Sequence, residues 1–170
     1  MTRLGAALAA LLLAGCGLEQ DVGVSSGGGP QVGSSAPDHV VIHTLDGAVV
    51  DLAAERGHPV VIDFFGSWCG PCRHQQADLN ALAASYRPKG VVVVGDALRD
   101  DRTALQSYLT GLAVPYPAGL DDGETAAAFA VLAPPTTVVV DPGGRVAATI
   151  LGGVRSGTLS SLLDRLLRGG

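Results

Sequence analysis

The chain has 170 residues, 47% of them hydrophobic and 16% charged, with 24 glycines and 10 prolines. That is enough for one domain with a packed core and too little for two ordinary ones. Its formal net charge is −5 with Lys89 as the one lysine, and no apolar run reaches the roughly 18 residues of a membrane span, so a nucleic-acid-binding module, a transporter and a large multidomain enzyme are excluded.

The N-terminus reads Met1-Thr2-Arg3, then an almost wholly apolar run from Leu4 to Ala14, then Gly15-Cys16. One positive charge, about 11 apolar residues and small residues at a cleavage point are the plan of a secretory signal. Leu13-Ala14-Gly15-Cys16 resembles the bacterial lipobox, which implies cleavage before Cys16 and lipidation of its sulfur. Acyl chains at about 0.8 kcal/mol per buried CH₂ would hold the protein on a membrane surface. It would then face an oxidising, extracytoplasmic compartment. Residues 1–15 are therefore read as a lipoprotein signal peptide. Residues 16–36, rich in Gly and Ser, are read as a lipidated cysteine and a flexible tether reaching about 25 Å. Residues 37–170 are read as the folded domain.

In that domain Val40 to Leu45 and Ala48 to Leu52 predict two strands, with Asp46-Gly47 as a type I′ hairpin turn. Val60 to Phe65 is too continuously apolar for an exposed strand. After Gly70-Pro71 a helix is predicted, with Cys72, Gln76, Leu79, Ala83 and Tyr86 on one stripe and its end before Pro88. Val91 to Val94 is a second buried strand. Asp100 and Asp101 are candidate caps for a helix carrying Ala104, Leu105, Tyr108, Leu109 and Leu112. Asp122 can cap a short helix through Phe129. Thr136 to Asp141 and Val146 to Leu151 flank the tight turn Pro142-Gly143-Gly144 and are predicted antiparallel. Ser156 opens a last helix with Leu159, Leu162, Leu163, Leu166 and Leu167 on one face, and Gly169 stops it. Together these predict an α/β fold, a mixed sheet covered on both faces, with an N-terminal hairpin.

The chemistry lies in Trp68-Cys69-Gly70-Pro71-Cys72, where a strand ends and a helix begins. A helix N-terminus carries partial positive charge and unpaired N–H groups, which stabilise a thiolate on Cys69. Cys72, one turn further in, can attack a mixed disulfide formed there. Pro71 in the first turn costs no helix hydrogen bond, and Gly70 lets a substrate backbone approach. A zinc knuckle needs four ligands, and His39, His43, His58 and His74 show no partner spacing. Covalent haem attachment needs a histidine after the second cysteine, where this chain has Arg73. A purely structural disulfide across two residues restrains little chain.

Val61 to Arg73 resembles the active-site segment of the thioredoxin superfamily. Ala133-Pro134-Pro135-Thr136-Thr137-Val138 followed by Asp141-Pro142-Gly143-Gly144-Arg145-Val146 is similar to its cis-proline loop and final hairpin. The opening hairpin and tether narrow the resemblance to the TlpA/ResA-like branch of membrane-anchored thiol–disulfide oxidoreductases, over about residues 36–168. The resemblance implies a thioredoxin-like fold, Cys69 as the attacking cysteine, Cys72 as the resolving one and Pro135 as the cis-proline. Trp68, Gly70, Pro71, Pro134, Pro135 and Thr136 then form the substrate surface. No cofactor is expected beyond a Cys69–Cys72 redox disulfide, and no metal.

Asp63 interrupts an apolar strand, where a carboxylate is costly unless paired or neutral. The resemblance makes it a buried acid that accepts the Cys72 proton; the alternative is a hydrogen-bonded core aspartate. This chain also departs from the family. Ala77 replaces a helix-kinking proline, Gln75 or Gln76 stands where an acid is usual, and Pro134 precedes the cis-proline. Asp96, Asp100 and Asp101 are candidates for the branch's further acid. The reading is a reductant of protein disulfides, apocytochrome c among the candidates. It takes electrons from a membrane thiol donor of the CcdA/DsbD kind, as a monomer that binds no nucleic acid. The alternatives are a peroxiredoxin-like peroxidase, against which Gly66 argues by its place three residues before Cys69, a non-catalytic binding lipoprotein, and a copper or haem chaperone.

Overall fold

The computed structural model describes residues 30–169. The expected signal peptide, Cys16 and the first part of the tether lie outside those residues. Among the described residues no helix is long and apolar enough to cross a membrane.

A five-stranded mixed sheet carries the domain. Its strands are β3 (Val60–Phe65), β4 (Val92–Ala97), β5 (Ala118–Leu120), β6 (Thr136–Val140) and β7 (Val146–Leu151), after a separate hairpin of β1 (Val41–His43) and β2 (Val49–Asp51). The order across the sheet is β5-β4-β3-β6-β7. β3, β4 and β5 run parallel, whereas β6 and β7 are antiparallel to their neighbours. The helices are α1 (Gly70–Tyr86), α2 (Arg102–Gly111), α3 (Glu124–Ala128) and α4 (Ser156–Arg168).

β3 is central and all six of its residues are buried, so alternate side chains feed two cores. Val60, Ile62 and Phe64 pack with the hairpin residues Ile42 and Val50 and with Phe129 after α3. Val61 packs on the other face with Leu79 and Leu82 of α1 and Leu159 and Leu163 of α4. Each large apolar side chain removed from water contributes about 1.5–3 kcal/mol. The mixed sheet covered on both faces and the N-terminal hairpin are therefore both present.

Three local expectations change. The hairpin turn is not type I′: Asp46 keeps a negative φ, and only Gly47 is left-handed, at φ 86°. Thr44 N–H reaches the Ala48 carbonyl at 3.0 Å, which closes a three-residue loop. The Asp46 carboxylate stabilises that loop by accepting from the Thr44 hydroxyl and the Ala48 N–H; such side-chain bonds to local backbone compete with the regular two-residue turn. β4 extends through Gly95, Asp96 and Ala97, because β3 offers backbone partners that far. β5 was not expected; it is three residues long, and Gly119 permits the hairpin backbone to cross it, since a Cβ there would collide with the His43 carbonyl.

The tether expected over 16–36 gives way to structure by Gly33. Gly33 N–H donates to Val146 O at 2.8 Å, Val146 N–H to Ser34 O at 2.9 Å, and Ala36 N–H to Gly144 O at 2.9 Å. Ala36 is buried. This clasp sits at the β6–β7 turn, the end of the sheet where β3 begins.

Candidate functional site

The Phe65 end of β3 runs into the three-residue loop Gly66-Ser67-Trp68, and Cys69 then caps α1. Its Sγ accepts a hydrogen bond from Cys72 N–H at 3.2 Å, and Pro71 occupies the first turn. Cys69 and Cys72 form a disulfide with Cα atoms 5.3 Å apart. Both are buried, against Phe65, Ala97, Leu105 and Tyr108. The sulfurs thus lie at the helix mouth, where unpaired N–H groups and the helix dipole favour negative charge.

The loop before the cysteines is fixed from the turn after β4. Ser67 donates its N–H and its hydroxyl to Asp100. Trp68, half exposed, donates its indole N–H to Leu98 O at 3.1 Å, and the Arg99 guanidinium lies 5.6 Å from its ring centroid. Gly66 allows that indole to fold back, because a Cβ at 66 would come within 2.8 Å of it. A threonine at 66, as a peroxiredoxin-like peroxidase carries, does not fit under Trp68. Arg73 turns back to the Ser67 carbonyl at 3.0 Å and lies over the Tyr108 ring.

The Pro134–Pro135 peptide bond is cis. Thr136 follows as the first residue of β6, its hydroxyl donating to Ala133 O at 2.8 Å. Pro135 O accepts from Gly152 N–H at 2.9 Å, so the proline loop is strapped to the segment after β7.

Asp63 lies on the face of β3 covered by α1. Its carboxylate is fully buried and accepts from Gln75 Nε2 at 3.3 Å and from the Tyr116 hydroxyl at 3.2 Å. Burial pushes its pKa from 3.8 up to about 7, with the Tyr116 hydrogen bond opposing. The network continues from Tyr116 to Gln76 Nε2 at 2.8 Å and from Gln76 Oε1 to the Tyr108 hydroxyl at 2.9 Å. Tyr108 packs in the cluster that holds both cysteines. Burial and the Asp63 charge raise the pKa values of both tyrosines, so they serve as neutral donors. The Gln75 amide, one turn beyond Cys72 on the buried stripe of α1, is what reaches Asp63.

The three acids considered for the further role are dispersed. Asp96 is the cross-strand neighbour of Phe64, so it faces the hairpin rather than α1. It is buried beside Asp121 and Asp122, and burial first, then those charges, raise its pKa to about 8. Asp100 holds Ser67. Asp101 caps α2 by accepting from Thr103 and Ala104 N–H groups at 2.9 and 3.0 Å. Gln75, Gln76, Tyr108 and Tyr116 form the polar site around Asp63. The sequence marked Tyr108 only as a stripe residue, Gln76 as a stripe residue and, with Gln75, as one of two candidates for the place of an acid, and Tyr116 not at all.

Comparison with known proteins matches residues 31–166 to the Redoxin family. The chain is 30% identical over 139 residues to the thiol-disulfide oxidoreductase ResA of Bacillus anthracis, covering 80% of this chain and 79% of that protein. It is 28% identical over 121 residues to ResA of Bacillus subtilis (strain 168), covering 71% and 67%. Among solved structures, a secreted disulfide oxidoreductase of Mycobacterium tuberculosis homologous to E. coli DsbE superposes with TM-score 0.67 at 27% identity, covering 75% of this chain and 96% of that one. A secreted thiol-disulfide isomerase of Corynebacterium glutamicum superposes with TM-score 0.70 at 28% identity, covering 78% and 85%.

Proposed function

The chain belongs to the Redoxin family and is a thiol–disulfide oxidoreductase of the ResA-like kind, and on that premise we propose that it is a lipid-anchored, extracytoplasmic reductant of protein disulfides. The observation that carries this reading is the Cys69–Cys72 pair at the mouth of α1, with the buried Asp63 held behind that helix. The Gly70-Pro71 dipeptide supports the reducing direction, and the lipobox at Cys16 supports the anchor.

In the reducing reaction both cysteines begin as thiols. The Cys69 thiolate attacks one sulfur of the substrate disulfide; that bond breaks, and the departing substrate sulfur takes a proton from water. Cys72 then gives its proton to the Asp63 carboxylate, directly or through a water. Its thiolate attacks Cys69 Sγ, forming the Cys69–Cys72 disulfide and releasing the second substrate thiolate. The substrate gains two electrons and the dithiol loses two. Trp68, Gly70, Pro71, Pro134, Pro135 and Thr136 form the surface against which the substrate chain lies. In an oxidising compartment the disulfide is reduced again by a membrane dithiol donor of the CcdA/DsbD kind. The substrates are exposed protein disulfides, with the Cys-x-x-Cys-His segment of an apocytochrome c among them.

Trapping tests the reading. The full-length Cys72→Ser protein should accumulate mixed disulfides through Cys69, whose partners mass spectrometry names, and Cys69→Ser should abolish insulin reduction. Undiminished insulin reduction by Cys69→Ser overturns the proposal. Loss of membrane retention in Cys16→Ser tests the anchor separately.

A further inference from the structure

We propose that Gln75 is a positioning residue that couples the proton acceptor Asp63 to the strap holding the cis-proline loop; this rests on the role given above to Asp63. Gln75 is buried on the inner face of α1. Its two amide ends go in different directions. Nε2 donates to Asp63 Oδ1 at 3.3 Å, and Oε1 accepts from Val154 N–H at 2.9 Å. Val154 closes the segment after β7 whose Gly152 N–H donates to Pro135 O at 2.9 Å. A single side chain therefore touches the buried acid and the backbone two residues from the one that carries the cis-proline.

An amide suits this place better than a carboxyl. Its N–H stabilises ionised Asp63 without adding a second acid to a buried site, and its carbonyl satisfies a buried backbone N–H that otherwise costs a hydrogen bond. The other groups around Asp63 do not replace it. Tyr116 donates to Oδ2 from the segment before β5, and Tyr108 of α2 is joined to it through Gln76. Thr137 of β6 is the cross-strand neighbour, and its buried hydroxyl has no partner among the described residues. Arg73, the nearby cation of α1, is engaged over Tyr108 and at Ser67 O. Cys72 of α1 supplies the proton. Gln75 is thus the donor on Oδ1, and it alone also bonds the strap.

The test follows oxidation of the reduced full-length protein through the fluorescence of Trp68, its only tryptophan, against pH. A peptide disulfide and insulin serve as the two substrates. Gln75→Met, which keeps the length and loses the amide, should move the inflection of Asp63 up by roughly 1–2 pH units and raise KM for insulin several-fold, but not for the peptide. Gln75→Glu retains an acceptor for Val154 N–H, so its KM for insulin should stay at the wild-type value. Its inflection should split into one step below and one above the original, as two coupled carboxyls require. Thermal unfolding confirms that each variant is folded, and the isosteric Glu variant decides the matter if the Met variant is not. Asp63→Asn should abolish the inflection. If it does and both Gln75 variants keep the wild-type inflection, the coupling is wrong while the role of Asp63 stands. Ionisation of the attacking Cys69 thiol gives a step of its own in every variant, so a pH profile that Asp63→Asn leaves identical to wild type overturns both.

Discussion

Ser67 gives its backbone N–H and its hydroxyl to the same carboxylate, that of Asp100, at 2.5 and 2.7 Å. Two donors from the residue just before Trp68-Cys69 are thereby pinned to the turn after β4. Asp100→Ala should cost about 1–3 kcal/mol, the worth of charge-assisted hydrogen bonds whose donors are left unpaired. Urea unfolding measures it, and a change within 0.5 kcal/mol (about the ordinary surface effect) would show that the turn holds its shape unaided.

Asp63 makes stability depend on pH. Its pKa is near 3.8 in an unfolded chain and about 7 in the fold, so the native state binds the extra proton between those values. Its contribution is intact below about pH 4 and is lost as the pH rises through 7. Asp63→Asn removes the ionisation, and its stability relative to the parent should grow from acid to alkaline pH, toward roughly 4 kcal/mol at pH 8. Unfolding of the oxidised proteins at pH 5 and pH 8 checks the sign. A margin that shrinks with pH contradicts it.

The Gly70-Pro71 dipeptide predicts a reduction potential close to the thioredoxin value of about −270 mV rather than the roughly −120 mV of a strong oxidant. Equilibration with a thiol–disulfide buffer followed by alkylation measures it. A value above about −180 mV places the protein among the oxidants and removes the reducing direction.

Gly66→Thr should displace Trp68, because even the added Cβ meets the indole at 2.8 Å. The indole N–H then loses Leu98 O, and its emission should shift to the red with insulin reduction falling several-fold. Unchanged emission would mean that the loop accommodates the side chain.

The sequence disclosed those parts whose signal is local. Val60 to Phe65, the heptad-like stripe of α1 and the Leu159–Leu167 face of α4 follow from periodicity, and Cys69-Gly70-Pro71-Cys72 announces its chemistry by spacing. Asp63 stood out because a charge in an apolar strand demands a reason. What surrounds it did not. Tyr116 is 53 residues away and lies between two prolines, and the partner of Gln75 is a backbone N–H at Val154, 79 residues away. Neither relation leaves a mark on the sequence. β5 escaped for a similar reason: Ala118-Gly119-Leu120 has little intrinsic strand preference, and β4 imposes the conformation. Asp100 could be recognised as a helix-boundary residue, but its selection for Ser67, with the cap left to Asp101, depends on how two loops meet.

The clasp of Gly33 to Ala36 beside Arg145 and Val146 fixes where the upstream chain joins the body. β3 leads away from that pole toward Cys69 over six residues, about 20 Å, so the sulfurs crown the distal end. If Cys16 carries the anchor, attachment and sulfurs lie at opposite poles of the body. The slack of the flexible segment expected after Cys16 would then set how readily the reactive pole turns toward a partner in the bilayer or toward one that diffuses above it.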